Sequence, residues 1–256
     1  MMSEIGLDLS GKVAVITGGA RGLGRAIGIA MARQGVKVAV CAKKQENLDE
    51  AMEDFQKLGA DALARVADVS ISDQVNAFYR EVETRFGRLD ILVNNVGINM
   101  FTPSTLDAEE GVWDKIIDTN LKSAYLCSGQ AVKLMRKAGG GKIINISSIA
   151  AKKAAAGMGI YCISKAALEM FTKVLALEHA KDNINVNAIA PYVIRTKFSK
   201  PFWGNEAMLS EITRDIPMGR IAETDDIVGT VLFLCSRLSD FITGEIITVD
   251  GGVMAR

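Results

Sequence analysis

A chain of 256 residues with a single histidine, four prolines and four cysteines has few means of building a metal cage or a disulfide framework. Cys41, Cys127, Cys162 and Cys235 lie far apart and form no CxxC pair, so they read as buried thiols in a reducing compartment. Charge of one sign is also missing. Lys+Arg and Asp+Glu number 30 each, which removes the overall electrostatic footprint of a nucleic-acid or anionic-membrane binder and leaves only local patches. Long hydrophobic runs are lacking too: the stretch around Ile227–Cys235 falls well short of the roughly 20 residues a membrane span needs. Met1–Ser10 carries Glu4 and Asp8 and has neither a basic flank nor an apolar core, so no export signal is read and a cytoplasmic protein is expected.

What the chain does have is a 49% hydrophobic composition arranged in alternating short β-forming runs and helical spacings. Strands are expected at Lys12–Thr17, Val36–Cys41, Ala62–Ala67, Leu89–Asn94, Lys142–Ser147, Ile184–Ile189 and Glu245–Val249. Helices are expected at Leu23–Gln34, Glu46–Leu58, Ser72–Phe86, Val112–Lys137, Met158–Lys181 and Thr224–Cys235. Asp107 with Glu110, and Ser70 with Asp73, read as capping boxes; Gly35 and Gly87 read as helix stops. The alternation predicts one α/β domain, a doubly wound parallel seven-stranded sheet of Rossmann type with helices on both faces. The irregular stretch at about 192–219 reads as a substrate lid.

Thr17-Gly18-Gly19-Ala20-Arg21-Gly22-Leu23-Gly24 falls at the first strand-to-helix turn. Glycines there let a pyrophosphate approach a helix N-terminus, whose free N–H groups favour anions. The second strand ends Val40-Cys41-Ala42-Lys43-Lys44, without the acid that would accept bonds from both ribose hydroxyls. Lys43, and Arg21 in the glycine turn, are placed to meet a 2′-phosphate, which favours NADP(H). Solvated loop charge is the competing reading of Lys43 and Lys44.

From Gly11 to Gly252 the chain resembles the short-chain dehydrogenase/reductase family. The resemblance rests on the TGxxxGxG spacing of the glycine turn, on Asp68-Val69 after the third strand, and on Asn94-Asn95-Val96-Gly97 after the fourth. It rests further on Asn120 in the fourth helix, on Ser148, and on the YxxxK run Tyr161-Cys162-Ile163-Ser164-Lys165. It implies cofactor contacts from Gly18, Arg21, Gly22, Leu23, Gly24, Lys43, Asp68, Val69, Asn95, Gly97, Tyr161, Lys165, Pro191, Ile194 and Thr196. It implies that Tyr161 is the acid/base, that Ser148 polarises the substrate oxygen, and that Lys165 also binds the nicotinamide ribose. Asn120 is expected to perturb its helix so that a carbonyl holds a water linking Lys165 to solvent. Lys165, one helical turn from Tyr161, is expected to lower the phenol pKa from about 10. Assembly as a homotetramer through the two long helices and the last strand is implied as well.

Departures from the pattern are informative. Tyr192 stands where the family usually has glycine after Pro191, which bears on the carry-over of Ile194 and Thr196. The aromatic and apolar lid residues Phe198, Phe202, Trp203, Met208 and Leu209 either seat the lid or line an apolar pocket with Asn99, Met100 and Phe101. Gly139 and Asp182 occupy positions where carrier-protein reductases present arginines, although Arg136 and Lys181 are close by. His179 suits the C-terminal end of its helix and reads as structural. The resulting expectation is an NADPH-dependent reductase of a ketone or 3-oxoacyl compound. The alternatives are an NAD-dependent sugar or alcohol dehydrogenase, a dinucleotide-sensing regulator, and another Rossmann-type enzyme such as a methyltransferase.

Overall fold

The computed structural model describes residues 6–255; Glu4, read above for a targeting signal, lies outside them. In chain order the first half comprises β1 (Val13–Thr17), α1 (Gly22–Arg33), β2 (Lys37–Ala42), α2 (Gln45–Lys57), β3 (Ala62–Val66), α3 (Ser72–Phe86) and β4 (Ile91–Asn94). The second half comprises α4 (Glu110–Ile117), α5 (Ser123–Ala138), β5 (Gly141–Ile146), α6 (Gly159–His179), β6 (Ile184–Pro191), α7 (Glu206–Arg214), α8 (Thr224–Cys235) and β7 (Ile246–Val249).

All adjacent strands pair in parallel in the order β3-β2-β1-β4-β5-β6-β7. The order reverses between β1 and β4, and the crevice outside their carboxyl ends is where such sheets bind ligands. β1 is buried along its whole length because helices cover both faces of the sheet. One core layer joins Ile16, Ile27, Phe55 and Val231; the other joins Leu92, Phe78, Met135 and Val186. Burial on two faces explains why β1, β2 and β4 read as unbroken apolar runs rather than alternations.

Three local expectations are corrected. Neither of the first two capping boxes forms: Ser70 bonds Asp68 instead, and α4 starts at Glu110 after Glu109, without a side-chain cap. The box that does form joins Glu223 and Asp226 ahead of α8. The single long helix expected at Val112–Lys137 is α4 and α5 joined by a π turn over Asp118–Lys122, where the Ser123 amide reaches back to the Asp118 carbonyl. The stretch after β6 holds a helix, α7, capped by Asn205, whose side chain accepts from the Met208 amide. Gly87, by contrast, ends α3 in the left-handed conformation as expected.

Candidate active site

The glycine turn folds as its sequence implies. Gly18 and Gly22 take positive φ (65° and 52°). A Cβ on Gly24 would sit 2.5 Å from both the Gly18 carbonyl oxygen and the Asn95 side-chain nitrogen, so no larger residue fits. Arg21 precedes α1 in an extended conformation and gives no side-chain cap, which leaves the first-turn amides to an anion. The wall opposite is β4: the Asn95 amide donates to Thr17 Oγ1 (3.0 Å) and its side chain to the Thr17 carbonyl (2.9 Å). Thr196 is brought beside Gly22, where a Cβ would lie 3.6 Å from its Cγ2, although the two are far apart in sequence. These features fit a dinucleotide phosphate.

Not every expected contact offers its side chain. Leu23 and Val69 are buried in the two core layers, so only their backbones face the crevice. Pro191 is buried at the end of β6, and Ile194 forms a parallel bridge with Ala222. Tyr192 causes no backbone anomaly, since the non-glycine residues with positive φ among those described are Asp8 and Asn183. Its ring packs with Ile149, Val193 and Ile216, half-buried under the segment that follows.

Tyr161, Ser148, Lys165 and Asn120 converge at the ends of β4 and β5. Ser148 lies near enough to the Tyr161 hydroxyl to lower its pKa, and Ser148 Oγ accepts from the Ala150 amide at 3.2 Å. Lys165 is buried; its Nζ donates to the Ile146 carbonyl (2.8 Å) and lies 5.7 Å from the Tyr161 ring centre. Gly97 is next to it: a Cβ there would be 3.4 Å from Lys165 Nζ and 3.7 Å from Asn120 Oδ1. Asn120 sits in the π turn and clamps Ile98 from both sides, accepting from its amide (2.8 Å) and donating to its carbonyl (2.9 Å). Its Nδ2 also donates to Ser164 Oγ (2.9 Å), which donates to the Tyr161 carbonyl (2.7 Å). The helix is therefore perturbed at Asn120, as the resemblance implied, and such bulges often mark working sites.

Burial governs the electrostatics. Desolvation pushes the Tyr161 phenol up to about 12, with the Ser148 hydroxyl pulling the other way. It pulls the Lys165 ammonium down to about 8. The expectation that Lys165 lowers the phenol pKa is therefore not met by the polypeptide alone, because loss of water outweighs an ammonium 5.7 Å from the ring. A protonated phenol is the form that gives a proton.

Several residues of the site escaped the sequence reading. Asn94 and Asn145 bond each other at 2.8 Å, Asn94 reaches Ser128, and Asn145 reaches Thr172 on α6 at 2.9 Å. This chain fastens the Tyr161 helix to the sheet. Buried Glu169 accepts from Ser147 Oγ at 3.1 Å, tying the same helix to the residue before Ser148. No pattern in one dimension marks such partners, since their spacing follows from strand order. The Asn99 side-chain nitrogen and oxygen are buried without a hydrogen-bond partner.

The segment after β6 divides its aromatic residues. Phe202, Trp203 and Leu209 pack on Ile149, Val193 and Ile216, while Phe198 stays half-exposed with its ring centre 6.5 Å from that of Tyr161. Phe202 meets Phe101 at 5.6 Å. His179 lies 18 residues beyond Tyr161 on the helix side, about 27 Å of rise, and contacts Asp182 at 3.1 Å. Asp182 also accepts from Arg136 at 2.8 Å, so the arginine nearest the carrier-docking position is already paired.

Residues 18–254 match the family model described as enoyl-(acyl carrier protein) reductase. The chain is 38% identical over 248 residues to dehydrogenase/reductase SDR family member 4 of Oryctolagus cuniculus, covering 97% of this chain and 95% of that one. It is 38% identical over 246 residues to a tropinone reductase homolog of Arabidopsis thaliana, covering 96% and 93%. A crystal structure of a short-chain type dehydrogenase/reductase from Mycobacterium marinum superposes with a TM-score of 0.92 at 33% identity, covering 98% of each chain. With the glycine turn, the Asn120 bulge and the Ser148–Tyr161–Lys165 cluster assembled on that fold, the chain belongs to the short-chain dehydrogenase/reductase family, hydride-transfer oxidoreductases that use a nicotinamide dinucleotide.

Proposed function

We propose that this protein is an NADP(H)-dependent reductase of a ketone or 3-oxoacyl compound, with Tyr161 as the proton donor. The observation that carries the reading is the buried Tyr161, acted on by Ser148, with the buried Lys165 ammonium 5.7 Å from its ring centre. When bound, the cofactor supplies a hydride at C4 of its nicotinamide. Ser148 polarises the carbonyl oxygen, Tyr161 passes its proton to that oxygen, and Lys165 stabilises the phenolate and helps it regain a proton. The amides of Gly22, Leu23 and Gly24, with Thr196 alongside, would hold the phosphates. Asp68, Val69, Asn95, Gly97, Pro191 and Ile194 line the rest of the cofactor groove, and Arg21 and Lys43 meet the 2′-phosphate.

Residues 192–219 serve as the lid. Phe198 and Phe101 supply apolar walls, and the unpartnered Asn99 amide supplies a polar contact for the substrate. The presence of both Tyr161 and Lys165 in one cluster supports an enzyme rather than a dinucleotide-sensing regulator. A homotetramer is supported by apolar side chains left open on α6, Met170 (60% exposed) and Leu177 (83%), and by Tyr125 on α5. No described helix is long and apolar enough to cross a membrane. Four free thiols, three of them buried, suit the reducing cytoplasm; one relative, of Homo sapiens, is named as mitochondrial.

A second reading, an NAD-dependent sugar or alcohol dehydrogenase, is favoured by one observation: Lys43 is already paired with Asp68 at 2.6 Å. The acid/base assignment is tested with Tyr161→Phe. Turnover of any accepted carbonyl should fall at least 100-fold (about 10²–10⁴ for a lost acid/base), while NADPH binding followed by fluorescence stays within about twofold. Appreciable turnover by the variant refutes the assignment.

A further inference from the structure

Ala42 ends β2 without a carboxylate, yet the sheet brings one to the same place from the neighbouring strand. Ala42 is in register with Val66, and the Ala67 amide donates to the Ala42 carbonyl at 2.9 Å. The two chains therefore leave the sheet together, and Asp68 Oδ2 meets Lys43 Nζ at 2.6 Å. The partners differ in freedom. Asp68 is fixed: its Oδ1 accepts from the Ser70 amide (3.0 Å) and hydroxyl (2.6 Å), and its own amide donates to Gln74 Oε1 (2.7 Å). Its side chain is 20% exposed. The Lys43 side chain is 47% exposed and has a long flexible stem, so it is the member that can swing.

We infer that Asp68 limits the preference for a 2′-phosphate by competing with it for Lys43. The inference rests on the proposed NADP(H) reading. A phosphate beyond the end of β2 gains the Lys43 ammonium only as Asp68 gives it up. The contribution of Lys43 to cofactor choice is thus a difference between two ion pairs, not the whole of one. Asp68 becomes a specificity-determining residue through the cation it holds, apart from any contact with adenine. Lys44 and Arg21, both exposed, have no such competitor among the described residues' ion pairs.

The test uses the whole protein and two cofactor fragments, 2′,5′-ADP and 5′-AMP, with affinities measured by isothermal titration calorimetry. Their affinity ratio isolates the 2′-phosphate and cancels any change at the adenine. Asp68→Asn keeps an acceptor for Ser70, and an unchanged circular dichroism spectrum and Tm report an intact fold; Asp68→Ser is the second variant. An exposed pair of this kind is worth little, so the ratio should rise about two- to fivefold in Asp68→Asn. Lys43→Ala should lower the ratio, and adding Asp68→Asn to it should produce no further rise. A wild-type ratio near one overturns the NADP(H) reading itself. A wild-type ratio well above one that Asp68→Asn leaves unchanged or lowers overturns the competition alone. So does a rise in the ratio that persists without Lys43, which would mean that the carboxylate acts on the phosphate directly.

Discussion

Lys165 is only 3% exposed and its Nζ donates to the Ile146 carbonyl, and among the described residues it has no carboxylate partner, so the fold holds an ammonium inside without a counter-ion. Burial pulls its pKa from 10.5 to about 8. At about 1.4 kcal/mol per unit, holding the charged form inside costs the folded state about 3 kcal/mol at pH 7. Lys165→Met keeps most of the side-chain volume and removes the charge. It also leaves the Ile146 carbonyl without its donor, which returns about 1 kcal/mol of the gain. The net is a protein about 2 kcal/mol more stable, or about 4–8 °C in Tm for a domain of this size. The sign of the pH dependence follows from linkage. Between the folded pKa near 8 and the unfolded 10.5 the unfolded chain binds more protons, so wild-type stability rises with pH. The advantage of the methionine variant is therefore full below pH 8 and shrinks as pH climbs toward 10. Thermal unfolding at fixed protein concentration, at pH 7 and pH 10, reads both effects. Turnover should vanish in the same variant. A variant no more stable than wild type at pH 7, or one whose advantage does not change with pH, would show that Lys165 is not desolvated as described.

Ala42→Asp with Lys43→Ile should reverse the cofactor order, from at least about tenfold in favour of NADPH to a preference for NADH; equal kcat/KM for the two cofactors in the unmodified protein would refute the assignment. Glu169 has its pKa raised by burial, with Lys152, the Ser147 hydroxyl and Lys173 pulling it down. Its contribution to stability is thus present at low pH and lost as pH rises through the raised value, so Glu169→Gln should raise Tm at pH 7 and not at pH 4. The opposite order would sink the claim that its charge is held at a cost. Light scattering at micromolar concentration should give four times the chain mass, and a monomer would remove the assembly argument built on Met170 and Leu177.

The alternation of strands and helices was legible because burial on both faces writes β1, β2 and β4 as apolar runs and helices as periodic ones. The glycine turn and the one-turn Tyr161–Lys165 spacing were legible for a related reason, being local features of the sequence, whereas Asn120 and Ser148 were read only through the family resemblance. The short α7 was missed because its signals, Asn205 as cap and Leu209 with Ile212 on one face, span barely two turns. The failed capping boxes show the limit from the other side. Ser70 had a competing carboxylate two residues away, and local geometry chose Asp68 over the helix amide.

What only the tertiary structure decided concerns partners drawn from distant parts of the chain. Strand order, which one sequence does not encode in any short window, set Asn145 against Asn94 and Thr172, and Glu169 against Ser147. It also fixed the electrostatic balance of the site. The sequence could show that Ala42 is not an acid and that Lys43 is a cation. Pairing β2 with β3 then placed Asp68 at that same cation, and burial moved the Tyr161 pKa against the expectation drawn from the Lys165 charge and lowered that of Lys165. Residue type and spacing determine which groups are available; solvent exposure and through-space neighbours, which exist only once the sheet is assembled, determine how strongly each one acts.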